Sequence, residues 1–364
     1  MNLTLYFAFE TEYYLAEDWL DPATNMKVHV QLVLLFLGAI MDVSGDSFLG
    51  FGLSVDIYFP DSYNNYVKDQ LVIFDSHRNT SESNYPNTIL FYLYTKYSRD
   101  DFVRLYVNDI QTLKNSPFDV KKPTVFITHG LANSYQSPVC TYIREAYNKH
   151  GDYNIIVIDW AVIASGGPFW VSRQVAKVAK YATRMIDFLE SQGMDPSTTT
   201  IVGHSFGAHL AGLTSYYAKK KMNYVVGLDP AGPNFYLEGK GTRLSKDDAT
   251  YVQVIHTSIL YGLFDPLGHA DFYVHGGRNQ PGCELRGYCS HFRAYEVFAE
   301  SVNTKGFIAR KCENYMFYMV GLCDSNQSVY MGGVTPDYNA QGIYYLDTNS
   351  KPPFAMNSPD VKSS

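Results

Sequence analysis

Five short apolar runs, each closed by a glycine or a polar residue, constrain this chain more than any other feature. Thr124–Thr128 ends at His129-Gly130, Ile155–Ile158 at Asp159-Trp160, and Thr199–Val202 at Gly203. Tyr224–Leu228 ends at Asp229-Pro230, and Tyr251–Ile255 at His256. Continuous runs of this kind suit strands covered on both faces, the condition of a parallel sheet. Between the second and third runs, Val171, Val175, Val178, Ala182, Met185, Ile186 and Leu189 recur at three- and four-residue steps, and Gly193 follows as a stop. Strand–helix repetition predicts an α/β fold, a mostly parallel central sheet flanked by helices, doubly wound or of hydrolase type. In such sheets functional groups gather at the carboxyl ends of the strands, which is where the polar closures lie.

One motif carries chemistry. Gly203-His204-Ser205-Phe206-Gly207 follows the third run and leads into Ala208-His209-Leu210-Ala211, a helix-compatible stretch. This is G-x-S-x-G with a strand before it and a helix after it. A serine on so sharp a turn needs small neighbours two residues to either side, here Gly203 and Gly207. The helix start beside it favours developing negative charge. A serine hydroxyl is a weak nucleophile and needs a base, which in turn needs an orienting carboxylate. Asp229, just past the fourth run, is the candidate acid, although an Asp-Pro pair is also an ordinary turn former. Four histidines follow: His256, His269, His275 and His291. His256 closes a β-branched run and reads as a packed core residue. His269 and His275 flank strand-like Asp271-Phe272-Tyr273, and His291 follows Cys289-Ser290. Spacing alone does not choose among the four.

The amino-terminal region has its own pattern. Residues 1–25 carry Glu10, Glu12, Glu17, Asp18 and Asp21 with no Lys or Arg. Met26-Lys27-Val28-His29 then leads into an apolar stretch from Val30 to Met41, followed by Val43-Ser44-Gly45. A basic start, ~7–15 apolar residues and a small residue at the end are the layout of a secretory signal peptide. A buried helix or an uncleaved anchor is the alternative. Translation starting at Met26 would make 1–25 an upstream extension. Cysteine usage fits export: Cys283/Cys289 and Cys312/Cys323 form two close pairs suited to small disulfide loops, and Cys140 is left over as a buried thiol. Asn79 and Asn326 begin glycosylation sequons. No CxxC spacing suggests zinc. The formal charge of −7 and a longest basic run of Lys219–Lys221 leave no basic face for nucleic acid.

Gly203–His209, Leu228–Pro233, Val254–Thr257, Gly268–Phe272, Gly276–Cys283 and Cys289–Arg293 occur in that order. Together they resemble the pancreatic-lipase family, particularly its secreted insect members and phospholipase A1 branch. The resemblance runs from about Asn87 to Thr348. It implies an α/β-hydrolase fold with Ser205 as nucleophile, Asp229 as orienting acid and His291 as general base. It also implies an oxyanion hole from the backbone N–H groups of Leu131 and Phe206. The organisation it suggests is an extension (1–25), a signal peptide (26–45), an N-terminal extension (46–86), a lipase domain (87–350) and a flexible tail (351–364).

Three departures from the family sharpen the expectation. Triglyceride lipases carry a long amphipathic lid between the cysteines matching Cys283 and Cys289, where only Glu284, Leu285, Arg286, Gly287 and Tyr288 stand. Five residues cannot form two helical turns or a wide apolar face, so phospholipid cleavage is expected at least as readily as triglyceride cleavage. The family's calcium site maps to Arg243–Asp248, where Asp248 is present but Ser245 and Lys240 replace expected acids, so no metal and no cofactor are expected. No β-sandwich follows Tyr344–Thr348, so a single catalytic domain is expected, acting on lipid surfaces without a colipase-like partner. A small-ester esterase is the alternative enzyme. Non-catalytic yolk-storage relatives lack the serine, whereas Ser205, Asp229 and His291 are all present here.

Overall fold

The computed structural model describes residues 53–60, 66–74, 81–96, 98, 101–232, 234–283 and 287–356. The predicted extension (1–25), the predicted signal peptide (26–45), Asn79, and Glu284, Leu285 and Arg286 lie outside the described residues. Two strands, β1 (Leu53–Pro60) and β2 (Tyr66–Phe74), form an antiparallel pair of their own.

The five apolar runs are the strands β5 (Thr124–Thr128), β6 (Asn154–Asp159), β7 (Thr199–His204), β8 (Tyr224–Leu228) and β9 (Tyr251–His256). With β10 (Ala270–Val274) and β13 (Gly342–Leu346) they form a parallel array in the order β6-β5-β7-β8-β9-β10-β13. Antiparallel strands close both edges: β3 (Leu90–Tyr94) and β4 (Val103–Leu105) beside β6, β11 (Ile308–Lys311) and β12 (Ser328–Tyr330) beside β13.

Alternating residues of each run bury into opposite layers, which is why the runs are apolar throughout. Phe126, Ile156, Ile201 and Val225 pack with helices α2 (Pro168–Ser191) and α3 (Phe206–Tyr217). Val125, Ile155, Val202 and Val226 pack with α1 (Pro138–His150) and α4 (Gly287–Ser301). The predicted 171–189 stripe is the buried face of α2. That helix stops where Gly193 turns to φ +108° and Met194 N–H returns to Leu189 O at 2.9 Å.

The predicted flexible tail begins as packed chain. The Phe354 and Ala355 amides donate to the Glu300 carboxylate at 2.7 and 2.8 Å, and the buried Phe354 ring lies 4.3 Å from the Arg293 guanidinium. Two apolar side chains and two main-chain donors thus hold residues 354–355 on α4, a correction to the sequence reading. Both predicted disulfides, Cys283–Cys289 and Cys312–Cys323, are formed, and Cys140 is buried and free.

Candidate active site

Ser205 sits between β7 and α3 with φ 59° and ψ −125°, a conformation a residue with a side chain holds only when its surroundings impose it. Its N–H donates to Leu228 O at 3.0 Å on β8, and its carbonyl accepts from Ala231 N–H at 3.2 Å. The flanking glycines are required by contact: a Cβ on Gly203 would strike the Gly207 carbonyl, and one on Gly207 would strike the His129 carbonyl. Phe206 opens α3, so its amide is one of the unpaired donors of a helix start.

Asp229 follows β8 with its N–H donating to Ile255 O at 2.7 Å. Its side chain is fully buried, and its two oxygens do different jobs. Oδ1 accepts from the Thr257 and Ser258 amides at 2.8 and 3.0 Å, while Oδ2 meets His291 Nδ1 at 2.5 Å. His291 stands near the start of α4. His204 holds it from below, its Nε2–H donating to His291 O at 3.0 Å and the two rings lying 4.4 Å apart. Burial strips the His204 imidazole of water, and together with His291 this keeps its pKa well below the ordinary value. His204 is therefore neutral, and it couples the residue before the serine to the backbone of His291.

Ser205, Asp229 and His291 thus come from the carboxyl ends of β7 and β8 and from α4. The Ser205 hydroxyl makes no hydrogen bond to His291 in this structure. In hydrolases generally, the contact between a serine and its base is often long before substrate arrives.

The remaining candidate histidines are occupied elsewhere. His256 spans Leu263 O (Nδ1, 2.8 Å) and Asp271 Oδ1 (Nε2, 3.0 Å), the packed role its strand position predicted. His269 Nδ1 accepts from Val252 N–H, and His275 lies between Asp347 and Thr348.

The segment preceding Leu131 is braced by His129, whose ring contacts Asp159 Oδ1 at 2.8 Å and Gly130 O at 3.0 Å while Trp160 Nε1 donates to its carbonyl at 2.9 Å. Gly130 presses on the serine: a Cβ there would lie 2.7 Å from Ser205 Cβ. Ala132 beyond it takes φ 54° and donates to Ala164 O at 2.9 Å. Among the described residues, neither the Leu131 nor the Phe206 amide donates to a protein acceptor.

Sequence reasoning missed Tyr261. Its ring stacks on Tyr288 at 4.6 Å and lies 5.7 Å from the His291 ring, and burial, reinforced by Tyr288, pushes its phenol up. Gly287 and Tyr288, predicted as cover, belong to the first turn of α4. Tyr261 lies on the connection between β9 and β10, and no sequence motif marks it. Asp248 hydrogen-bonds the Ser245 amide and hydroxyl at 2.9 and 3.0 Å, and Lys240 pairs with Asp247.

A parallel sheet with a serine elbow, an acid and a histidine at its carboxyl edge defines an α/β-hydrolase. A family profile described as "Lipase" matches residues 64–354. Phospholipase A1 of Vespula squamosa is 31% identical over 290 residues, covering 74% of this chain and 96% of that protein. Phospholipase A1 member A of Rattus norvegicus is 32% identical over 228 residues, 60% of this chain and 50% of that one. Pancreatic lipase-related protein 2 of Cavia porcellus is 31% identical over 238 residues, 62% and 54%. The chain belongs to the lipase family and is a carboxylic ester hydrolase acting on lipids.

Proposed function

We propose that this enzyme is a secreted phospholipase of the A1 type working through Ser205, His291 and Asp229. The observation that carries the reading is the Asp229–His291 pair beside the Ser205 elbow. In the reaction His291 Nε2 takes the Ser205 proton as Oγ attacks the acyl carbonyl, and the Leu131 and Phe206 amides receive the oxyanion. His291 then gives that proton to the departing lysophospholipid oxygen. Water, deprotonated by the same histidine, releases the fatty acid and restores the serine.

The short stretch between Cys283 and Cys289 supports phospholipid over triglyceride, because α4 already begins at Gly287 and leaves little chain for a cover. The phospholipases A1 among the relatives agree. Secretion is supported by the two disulfides, and Asn326 is exposed as a glycosylated residue must be.

The test offers the protein phosphatidylcholine with distinct acyl chains at sn-1 and sn-2, beside a triglyceride emulsion. Release of the sn-1 chain is expected. Turnover of triglyceride alone would overturn the phospholipid assignment, and Ser205→Ala retaining more than about a thousandth of the activity would overturn the triad.

A further inference from the structure

The segment Tyr315–Leu322, enclosed by the Cys312–Cys323 disulfide, reads Tyr-Met-Phe-Tyr-Met-Val-Gly-Leu and holds no charged residue. Its first five residues form a short helix capped by Asn314, whose Oδ1 accepts from Phe317 N–H at 2.9 Å. Two tyrosines three apart fasten it inward. Tyr315 and Tyr318 lie 5.7 and 5.9 Å from the Tyr345 ring, and Tyr318 donates to Asp347 Oδ2 at 3.2 Å. Tyr315 also closes on Gly276, where a Cβ would come within 2.6 Å of its ring. The other side is bare: Met316, Met319, Val320 and Leu322 are each 60–67% exposed.

The strand register places this knob. Tyr345 and Asp347 are at the carboxyl end of β13, and Gly276 follows the carboxyl end of β10, both parallel to β7 and β8, whose carboxyl ends carry Ser205 and Asp229. Exposed Ile308 and Tyr330 pair with each other across β11 and β12 at the same end. Exposed Leu237 and Leu260 stand on the loops after β8 and β9. The edge of the sheet that opens onto the site is therefore also where bare apolar side chains collect, Met316, Met319, Val320 and Leu322 of the knob among them.

We propose that the 315–322 knob is a lipid-surface anchor, inserting Met316, Met319, Val320 and Leu322 among the acyl chains while the site faces the bilayer. The occupant follows from chemistry: the protein acts on lipid esters, and an uncharged apolar projection on the edge that receives them is stabilised by hydrocarbon. The disulfide and the tyrosine anchors hold the projection ready, so little ordering is lost on insertion. This rests on the reading of a lipid surface as substrate, and binding can be measured apart from turnover.

Ser205→Ala protein, with and without Met319→Asp and Val320→Asp, is co-sedimented with phosphatidylcholine vesicles. The two substitutions are expected to weaken partition by about tenfold or more. In the Ser205 background they should leave hydrolysis of a soluble butyrate ester within about twofold. Val120→Asp, exposed before β5 at the opposite edge, should change neither readout. Partition unaffected by the knob substitutions, or weakened equally by Val120→Asp, overturns the proposal. Met319→Trp gives a second readout if the charged variants fold poorly: its emission should shift to the blue on adding vesicles, and an unshifted emission overturns it.

Discussion

Replacing Asp229 with Asn separates the orientation of His291 from everything else the carboxylate does. Oδ1 accepts two amides, Thr257 N–H and Ser258 N–H, and a Cβ on Gly262 would lie 2.6 Å from it, so the side chain is walled in. In the variant, the amide oxygen must keep the Oδ1 place. Turning the NH₂ toward two N–H donors would leave both unpaired in the interior, at about 1–3 kcal/mol each. The NH₂ is then forced against His291 Nδ1, where the wild type has the 2.5 Å contact with Oδ2. His291 can pair with it only as the tautomer with Nδ1 bare and the proton on Nε2, the nitrogen that must accept the serine proton. On the proposed mechanism, loss of the base in this way is expected to cost about 10⁴-fold in kcat, about 5.5 kcal/mol of barrier. The packing is almost unchanged, so the midpoint of urea unfolding should move little. The assay is kcat on a soluble ester, with KM read alongside. A loss of less than about tenfold would mean that His291 is not held by Asp229 during turnover.

Gly130→Ala would place a Cβ 2.7 Å from Ser205 Cβ and 3.2 Å from its Oγ, so the loop carrying the Leu131 amide must move. A kcat loss of about 10²–10³ is expected on a soluble ester, and a loss under about threefold refutes the reading. Burial pushes the Asp248 carboxyl up to about 6 from 3.8. Between those values the folded chain holds a proton the unfolded chain has released, so stability falls as pH rises through the window. Asp248→Asn removes that dependence, and the variant should gain on the wild type by up to about 3 kcal/mol between pH 4 and 7. A stability difference that does not vary with pH, measured by denaturant titration, would refute it. Cys140 is buried and its thiol pushed up by that burial. It should ignore a thiol reagent in the folded protein and react once unfolded; rapid native labelling would contradict the packing.

The sheet was legible because its strands are buried on both faces: Ile155–Ile158 or Tyr224–Leu228 cannot be read as half-exposed chain. The elbow was legible for a related reason, since Gly203 and Gly207 face backbone carbonyls that exclude any side chain. What escaped depends on distant partners. Phe354 and Ala355 look like loose chain until Glu300 supplies an acceptor from α4. Tyr261 carries no motif, and only the fold brings it to within 5.7 Å of His291. The bare side of Tyr315–Leu322 is likewise invisible in a sequence where Met, Phe and Val read equally well as core.

The choice among histidines shows why the proposed base could not be picked from spacing. Four histidines in the described residues lie against a carboxylate: His129 on Asp159, His256 on Asp271, His275 on Asp347 and His291 on Asp229. Proximity to an acid therefore does not distinguish a base from a structural pair. The second ring nitrogen does. In His129 it meets Gly130 O, in His256 Leu263 O, and in His275 the amide of Thr348. Each of those rings is spent at both ends, joining a carboxylate side chain to a backbone group. Among the described residues, His291 Nε2 alone of the four second nitrogens has no protein partner. An imidazole oriented by a buried carboxylate at one nitrogen and open at the other is the arrangement proton transfer requires. Occupancy of the far nitrogen, a property of the folded chain, is what separates the three braces from the proposed base.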